Sequence, residues 1–303
     1  MRVFSPYATL YTMQKRSVSS LLAVSIVIPA YNEEKHIAAC LDSIAAQTTA
    51  PYEVIVVDNN SSDATVAIAS RYSFVTVLHE SRQGIAFARD CGFNAARGDV
   101  LGRIDADTLI EPDWVEQLQR IFTDSAVTAV SGSVSFNDVP FAPALSRIDW
   151  ALRHYLARNL TRIGELFLFG GNMAMRASLW RSIRGGLCRN SEYHEDMDLA
   201  AHIAHSQHRI GFDDRLRASV SVRRIDTPFR NYCTYVVANS RTYAAHGLKG
   251  RFYMWPVEAF VIAIHGPARL LYRSYDPATG SMSLKRMFRS ATTPRTSPIS
   301  ESV

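Results

Sequence analysis

Four short runs, "VSIVIPA" (24–30), "YEVIVVD" (52–58), "FVTVLHE" (74–80) and "DVLGRID" (99–105), are rich in β-branched and apolar residues. The first two are apolar almost without interruption, as a strand must be when both faces of its sheet are covered. Between the runs, apolar residues recur at helical spacing. Ile37, Cys40, Leu41 and Ile44 mark a first helix, with Asn32 as its expected cap. Val66 and Ile68 mark a short second helix, and residues 84–96 a third. Strands that alternate with helices predict βαβ units, hence an α/β fold with a Rossmann-like, mostly parallel sheet flanked by helices.

The second half is less regular. A helix is expected after Pro112 through Trp114, Leu118 and Ile121, then a strand over 126–136 and a long helix over 141–162. "ELFLFGGNMAMR" (165–176) reads as strand, tight glycine turn, strand, and "HEDMDLAAHIA" (194–204) as a helix. This divides the chain into an N-terminal extension over 1–22, a main domain over 23–240, a helical, basic extension over 241–289, and a tail over 290–303. The tail is rich in Ser, Thr and Pro and is predicted to be disordered.

In open parallel sheets ligands gather at the carboxyl ends of the strands, near the point where strand order reverses. Glu33 follows the first strand, Asp58 ends the second and Asp105 ends the fourth, so three strand ends deliver a carboxylate to one edge. Asp105 and Asp107 stand two apart, on the same side of an extended chain. Paired carboxylate oxygens suit a hard divalent cation, Mg²⁺ or Mn²⁺.

Five segments, "VSIVIPAYNEE", "VIVVDNNSSDAT", "GIAFARDCGFNAARGDVLGRIDADT", "FGGNMAMR" and "EDMDL", come in the order found in family 2 of the inverting glycosyltransferases, and the chain resembles that family from about residue 24 to 225. The resemblance implies the GT-A fold and transfer of a sugar from a nucleoside-diphosphate sugar to an acceptor hydroxyl, on a glycan or a lipid-linked molecule. It implies a nucleotide pocket made by Pro29, Ala30, Tyr31 and Glu33, with Asp58 on the base and Arg89 near the nucleotide. Asp105 would meet the ribose or the metal and Asp107 the metal. The cation would neutralise the departing diphosphate. Gly170, Gly171 and Asn172 would approach the sugar, Glu195 would sit beside the acceptor, and Asp196 would be the general base, with Asp198 structural.

The chain departs from the family pattern in places. Asp90 stands where Asn is usual, and Arg103 stands where an apolar residue is usual, on the strand face of Asp105 and within reach of it. The metal-supporting histidine that some relatives carry after the catalytic helix is not evident; Arg223 and Arg224 occupy that region and suit the diphosphate instead. The Q-x-x-R-W motif is absent, which favours transfer of single sugars over polymerisation.

His202, His205 and His208 repeat at i, i+3, the spacing of a polar stripe on a helix surface. Cys40, Cys91, Cys188 and Cys233 form no CxxC pair, so buried thiols in a reducing compartment are expected. From Arg209 onward the chain carries 15 Lys and Arg against 6 Asp and Glu. That excess suits an anionic surface. The apolar stretch within 255–272 is too short to cross a bilayer core of about 30 Å but can lie in its interface. The expected location is cytoplasmic, peripheral at the inner face of the cell membrane, with no nucleic-acid partner. "KRSVSSLLAVSIVIPA" has a basic start like a signal peptide, but its apolar half is the first strand.

A nucleotidyltransferase would need a glycine-rich, cationic loop after the first strand to hold a triphosphate, whereas "PAYNEE" has two acids and no glycine. A non-catalytic nucleotide- or carbohydrate-binding protein would not need Asp107 and Asp196. A dehydrogenase would need GxGxxG after a strand.

Overall fold

The computed structural model describes residues 22–189 and 192–288. The expected tail over 290–303, and all of the expected N-terminal extension but Leu22, lie outside the described residues. Eight strands form one sheet: β1 (Val24–Ala30), β2 (Glu53–Asp58), β3 (Val75–His79), β4 (Val100–Arg103), β5 (Leu109–Ile110), β6 (Ala129–Phe136), β7 (Met173–Arg176) and β8 (Ile210–Val220). Their order across the sheet is β3-β2-β1-β4-β7-β6-β8-β5. The β3-β2-β1-β4 half is parallel throughout. β7 runs antiparallel to both β4 and β6, β6 and β8 are parallel, and β5 is antiparallel to β8.

Among the described residues, ten α-helices of five residues or more are packed on and beside this sheet: α1 (Ile37–Ala45), α2 (Thr65–Ala69), α3 (Ile85–Ala95), α4 (Trp114–Ile121), α5 (Ala142–Ile163), α6 (Ala177–Ile183), α7 (Glu195–His205), α8 (Phe229–Ala245), α9 (Arg251–Ala263) and α10 (His265–Ser274). The alternation of side chains along β1 explains its apolar run. Val24, Ile26 and Ile28 face one core, with Leu41 of α1 and Trp114 and Leu118 of α4. Val27 faces the other, with Phe93 of α3, Trp180 of α6 and Leu199 of α7. Helix α3 lies directly on the sheet, because a Cβ on Gly92 would come within 2.3 Å of Val27. Each fully buried Val, Leu or Ile contributes about 1.5–3 kcal/mol, so covering both faces stabilises the sheet far more than strand propensity does. A third cluster joins Leu160 of α5, Ala201 of α7, Tyr243 of α8 and Met254 of α9.

Several expectations change. Asn32 does not cap α1; it takes a left-handed φ of 53° and its Oδ1 accepts from the Ser62 N–H. The backbone N–H groups of His36 and Ile37 bond instead to the Glu33 carbonyl. Residues 165–169 are not a strand but a largely buried irregular segment, tied by the Phe169 N–H to Ser131 Oγ. The expected turn at Gly170 and Gly171 is present, closed by the Asn172 N–H on the Phe169 carbonyl at 2.9 Å, and neither glycine needs a positive φ to form it. The expected boundary at 240/241 falls inside α8, and Tyr243 beyond it is fully buried in the third cluster, so the chain does not divide there. No helix among the described residues is long and apolar enough to cross a membrane.

Candidate active site

β1 and β4 are neighbours, and the chain turns to opposite sides of the sheet from them. Glu33 leaves the end of β1, and Asp105 and Asp107 leave the end of β4. Antiparallel β7 brings Gly170 and Gly171 to the same edge, and the first turn of α7 supplies Glu195 and Asp196. Asp105, Gly170, Gly171, Glu195 and Asp196 line one cleft there, together with Arg103.

Arg103, the last residue of β4, is 1% exposed. Its Nη2 lies 2.9 Å from Asp105 Oδ1 and its Nη1 lies 2.8 Å from Glu195 Oε1. A buried guanidinium persists only when paired, and here two carboxylates pair it. Burial opposes its charge, but Asp105 and then Glu195 more than offset that, and its pKa is raised. The pairing requires Gly170, since a Cβ there would stand 1.7 Å from Nη1. Sequence reasoning noted Arg103 without a role. The signal was its charge at a strand position that should be apolar.

Asp196 is 3% exposed. Its Oδ2 accepts from the Gly170 N–H at 2.9 Å, and its Oδ1 lies 2.5 Å from Nδ1 of His194. Burial favours the protonated acid, yet His194 and then Arg103 reverse this and lower the Asp196 pKa. His194 is correspondingly raised well above 6.5, against burial, by Asp196, with Tyr235 and Glu195 adding to the effect. The Tyr235 ring lies 4.9 Å from the His194 ring, and the Arg224 guanidinium lies 4.0 Å over Tyr235. His194, Tyr235 and Arg224 line the cleft. His194 stands in the segment 194–204 and Arg224 next to Arg223, but nothing in the sequence joins either to Asp196. Tyr235 offered no signal.

On the other side, Arg223 bridges two acids, with its Nη2 2.6 Å from Glu33 Oε1 and 2.7 Å from Asp107 Oδ2. The buried thiol of Cys40 is pushed up by burial and then by the fields of Asp107, Asp105 and Glu33. The arginines take Oδ1 of Asp105 and Oδ2 of Asp107, leaving the second oxygen of each. Asp105 keeps 40% of its side chain exposed. Its pKa is raised by desolvation first, with Arg103 opposing and Asp107, Glu195 and Asp196 adding. Crowded hard oxygen donors of this kind fit a divalent cation.

Of the remaining expected residues, Pro29 and Ala30 lie in β1 opposite Val57 and Asp58, and Tyr31 is 40% exposed just beyond them. Asp58 is buried, its Oδ1 accepting from the Ser61 N–H and its Oδ2 3.0 Å from His79 Nδ1.

Two assignments are corrected. Arg89 does not face the cleft. It is fully buried, pairs with Asp90 Oδ1 at 2.8 Å and donates from Nη1 to the Glu195 carbonyl at 2.8 Å. It therefore fastens α3 to the start of α7. The unusual Asp90 has a use as well, because it pairs with both Arg89 and Arg189. Asn172 is likewise interior. Its amide nitrogen donates to the carbonyls of Ser133 and Leu216, and its oxygen accepts from Trp114 Nε1. Its hydrogen bonds hold β6, β8 and α4 together rather than a sugar.

Comparison with known proteins agrees with this geometry. The sequence model described as glycosyl transferase family 2 matches residues 25–184. Glycosyltransferase AglE of Haloferax volcanii is 33% identical over 138 residues, 43% of this chain and 45% of AglE. The chain spans less than half the length of the curated relatives it matches. Among solved structures, the mannosyltransferase PcManGT of Pyrobaculum calidifontis, in complex with GDP-Man and Mn²⁺, superposes with a TM-score of 0.58 at 21% identity. It covers 88% of this chain and 77% of its own. Glucosyl-3-phosphoglycerate synthase of Mycobacterium tuberculosis, in complex with Mn²⁺, UDP-glucose and phosphoglyceric acid, gives 0.52 at 18% identity, covering 75% and 80%. The fold they share with this chain is the GT-A fold that the motifs imply.

Proposed function

Because the chain belongs to glycosyl transferase family 2, we propose that it moves a sugar, with inversion, from a nucleoside-diphosphate sugar to an acceptor hydroxyl of a glycan or lipid-linked molecule. One observation carries the reading. Arg103 holds Asp105, on the donor side, and Glu195, next to Asp196, across a single cleft. Family membership favours sugar transfer over nucleotidyl transfer or binding alone.

In a single displacement the acceptor oxygen bonds to the anomeric carbon while the bond to the diphosphate oxygen breaks. That electron pair leaves with the diphosphate, and the acceptor proton goes to Asp196. Such proton removal is worth typically ~10²–10⁴-fold. While His194 is protonated it depresses the basicity of Asp196, so Asp196 becomes an effective base once His194 is neutral. Glu195, fixed by Arg103, orients the acceptor. Arg223 and Arg224 offer positive charge to the diphosphate. Asp58 accepts from the nucleotide base, and Tyr31, Pro29, Ala30 and Gly171 form the walls. Asp105 and Asp107 would hold Mg²⁺ or Mn²⁺, which supplies further charge against the leaving group.

We further propose that the protein works on the inner face of the cell membrane. Phe252, Trp255 and Phe260 are exposed along α9, with exposed Ala259 and Ala263 between and beyond them. This stripe is the face an interfacial helix buries, and the basic excess from Arg209 onward suits anionic headgroups.

Incubation with UDP-, GDP- and dTDP-sugars and simple acceptors, with the product's anomeric configuration read by NMR, tests the reaction. Inversion is expected. Retention would reject single displacement.

A further inference from the structure

Behind α7, away from the cleft, four side chains from three segments converge. Cys188 stands in the loop after α6, Asp198 and His202 lie one turn apart on α7, and His246 directly follows α8. Each offers one donor atom, and these four atoms all lie within 4.8 Å of one another. Cys188 Sγ is 3.7 Å from His202 Nε2, which is 3.6 Å from Asp198 Oδ1. His246 Nε2 is 2.9 Å from the same oxygen.

We propose that this is a structural zinc site, with Cys188, Asp198, His202 and His246 as its four ligands. Zinc takes thiolate, imidazole and carboxylate donors in a tetrahedron. Its bonds, about 2.3 Å to sulfur and about 2.0–2.1 Å to nitrogen, put neighbouring donors roughly 3.3–3.6 Å apart. The three shortest contacts named above, at 3.7, 3.6 and 2.9 Å, lie within a few tenths of an ångström of that spacing, and all six pairs lie within 4.8 Å. A second observation points to a cation. Asp198 is 1% exposed, and its Oδ2 is buried with no hydrogen-bond partner among the described residues. A buried carboxylate oxygen in this state calls for a partner such as an ion or a water.

The donor set is complete without water, which marks a closed, structural site rather than a catalytic one. It differs from the histidine stripe visible in the sequence, for His205 and His208 are not among the four. His205 stands behind His246, with ring centroids 5.9 Å apart. Bound zinc would fasten the loop after α6 and the end of α8 to α7, the helix whose first turn carries Glu195 and Asp196. The site would therefore hold the acceptor side of the cleft without touching a reactant.

The test uses the full chain and does not depend on its activity. Protein purified without added metal is analysed for zinc, then stripped with chelator and titrated with Co²⁺ alone. Stoichiometric zinc is expected, with a sulfur-to-cobalt charge-transfer band and tetrahedral d–d absorption. The charge-transfer band should vanish in Cys188→Ser, and both bands should persist in Asp107→Asn, which separates this site from the donor-side carboxylates. The melting temperature should fall on stripping and recover with Zn²⁺. Absence of the charge-transfer band from stripped wild-type protein, or equal zinc affinity in wild type and Cys188→Ser, would overturn the proposal. The first reading needs no variant to fold.

Discussion

Arg103 and Gly170 compete for the same space, and glycine is the residue that lets the arginine in. A Cβ on Gly170 would come within 1.7 Å of Arg103 Nη1, the atom that reaches Glu195. The Gly170 N–H is at the same time a donor to Asp196. Gly170→Ala should therefore push the guanidinium off Glu195 and shift Asp196 together. Transfer is expected to fall at least tenfold, with a lower melting temperature. Arg103→Met should cost about 3 kcal/mol, the low end for breaking a buried pair, because Asp105 is partly exposed. Urea unfolding of both variants measures this, and wild-type stability in both would refute the pairing.

The His194–Asp196 pair sets a pH dependence whose sign follows from the two shifts. His194 is raised, so its contribution to stability is complete below its unfolded value of about 6.5 and is lost as pH rises through the folded value. Asp196 is lowered, so its share is present above about 3.9 and is lost as pH falls. Stability should be greatest in mild acid. Activity should move the opposite way on the alkaline side, rising as His194 loses its proton and frees Asp196. Glu195, Tyr235 and Arg224 also face or adjoin this histidine. In His194→Gln the alkaline loss of stability and the rise in kcat/KM should both flatten. An unchanged pH–rate profile would show that His194 does not govern the base.

Chelation should abolish transfer, and Mg²⁺ or Mn²⁺ should restore it. Asp107→Ala should lose at least about a hundredfold in kcat while keeping the wild-type fold by circular dichroism. It should also free Arg223, leaving that guanidinium on Glu33 alone. Full activity in excess EDTA would refute a metal-assisted reaction.

Anionic vesicles should sediment the protein at low salt and release it as salt rises, because each Lys or Arg near the surface contributes roughly 1 kcal/mol that screening removes. Phe252→Ser with Trp255→Ser should weaken binding at every salt concentration. If neutral and anionic vesicles sediment it equally, the basic excess has no part in docking.

The parallel half of the sheet was legible because β1, β2 and β4 are buried on both faces and its helices repeat at 3.6 residues. Val24 and Ile26 on one face and Val27 on the other show the first signal in one strand. The segment at 165–169 misled because a buried irregular stretch has the same composition as a strand. Asp105, Glu195 and Asp196, which the fold brings to one cleft, stand in motifs that can be read in order from the sequence. Arg89 and Asn172 were assigned to ligands because a sequence does not show which way a polar side chain points. Arg89 turns toward Glu195, and Asn172 toward Ser133 and Leu216. The joining of His194 to Tyr235, and of Cys188 to His246, depends on segments brought together only by the fold.

The most direct measurement concerns Asp196. Asp196→Asn keeps the side chain's shape and removes its basicity. Calorimetry should find nucleoside-diphosphate-sugar binding and metal binding close to wild type, while single-turnover transfer falls by at least about a hundredfold. Near-normal transfer by this variant would contradict the account and move the base to another group in the cleft.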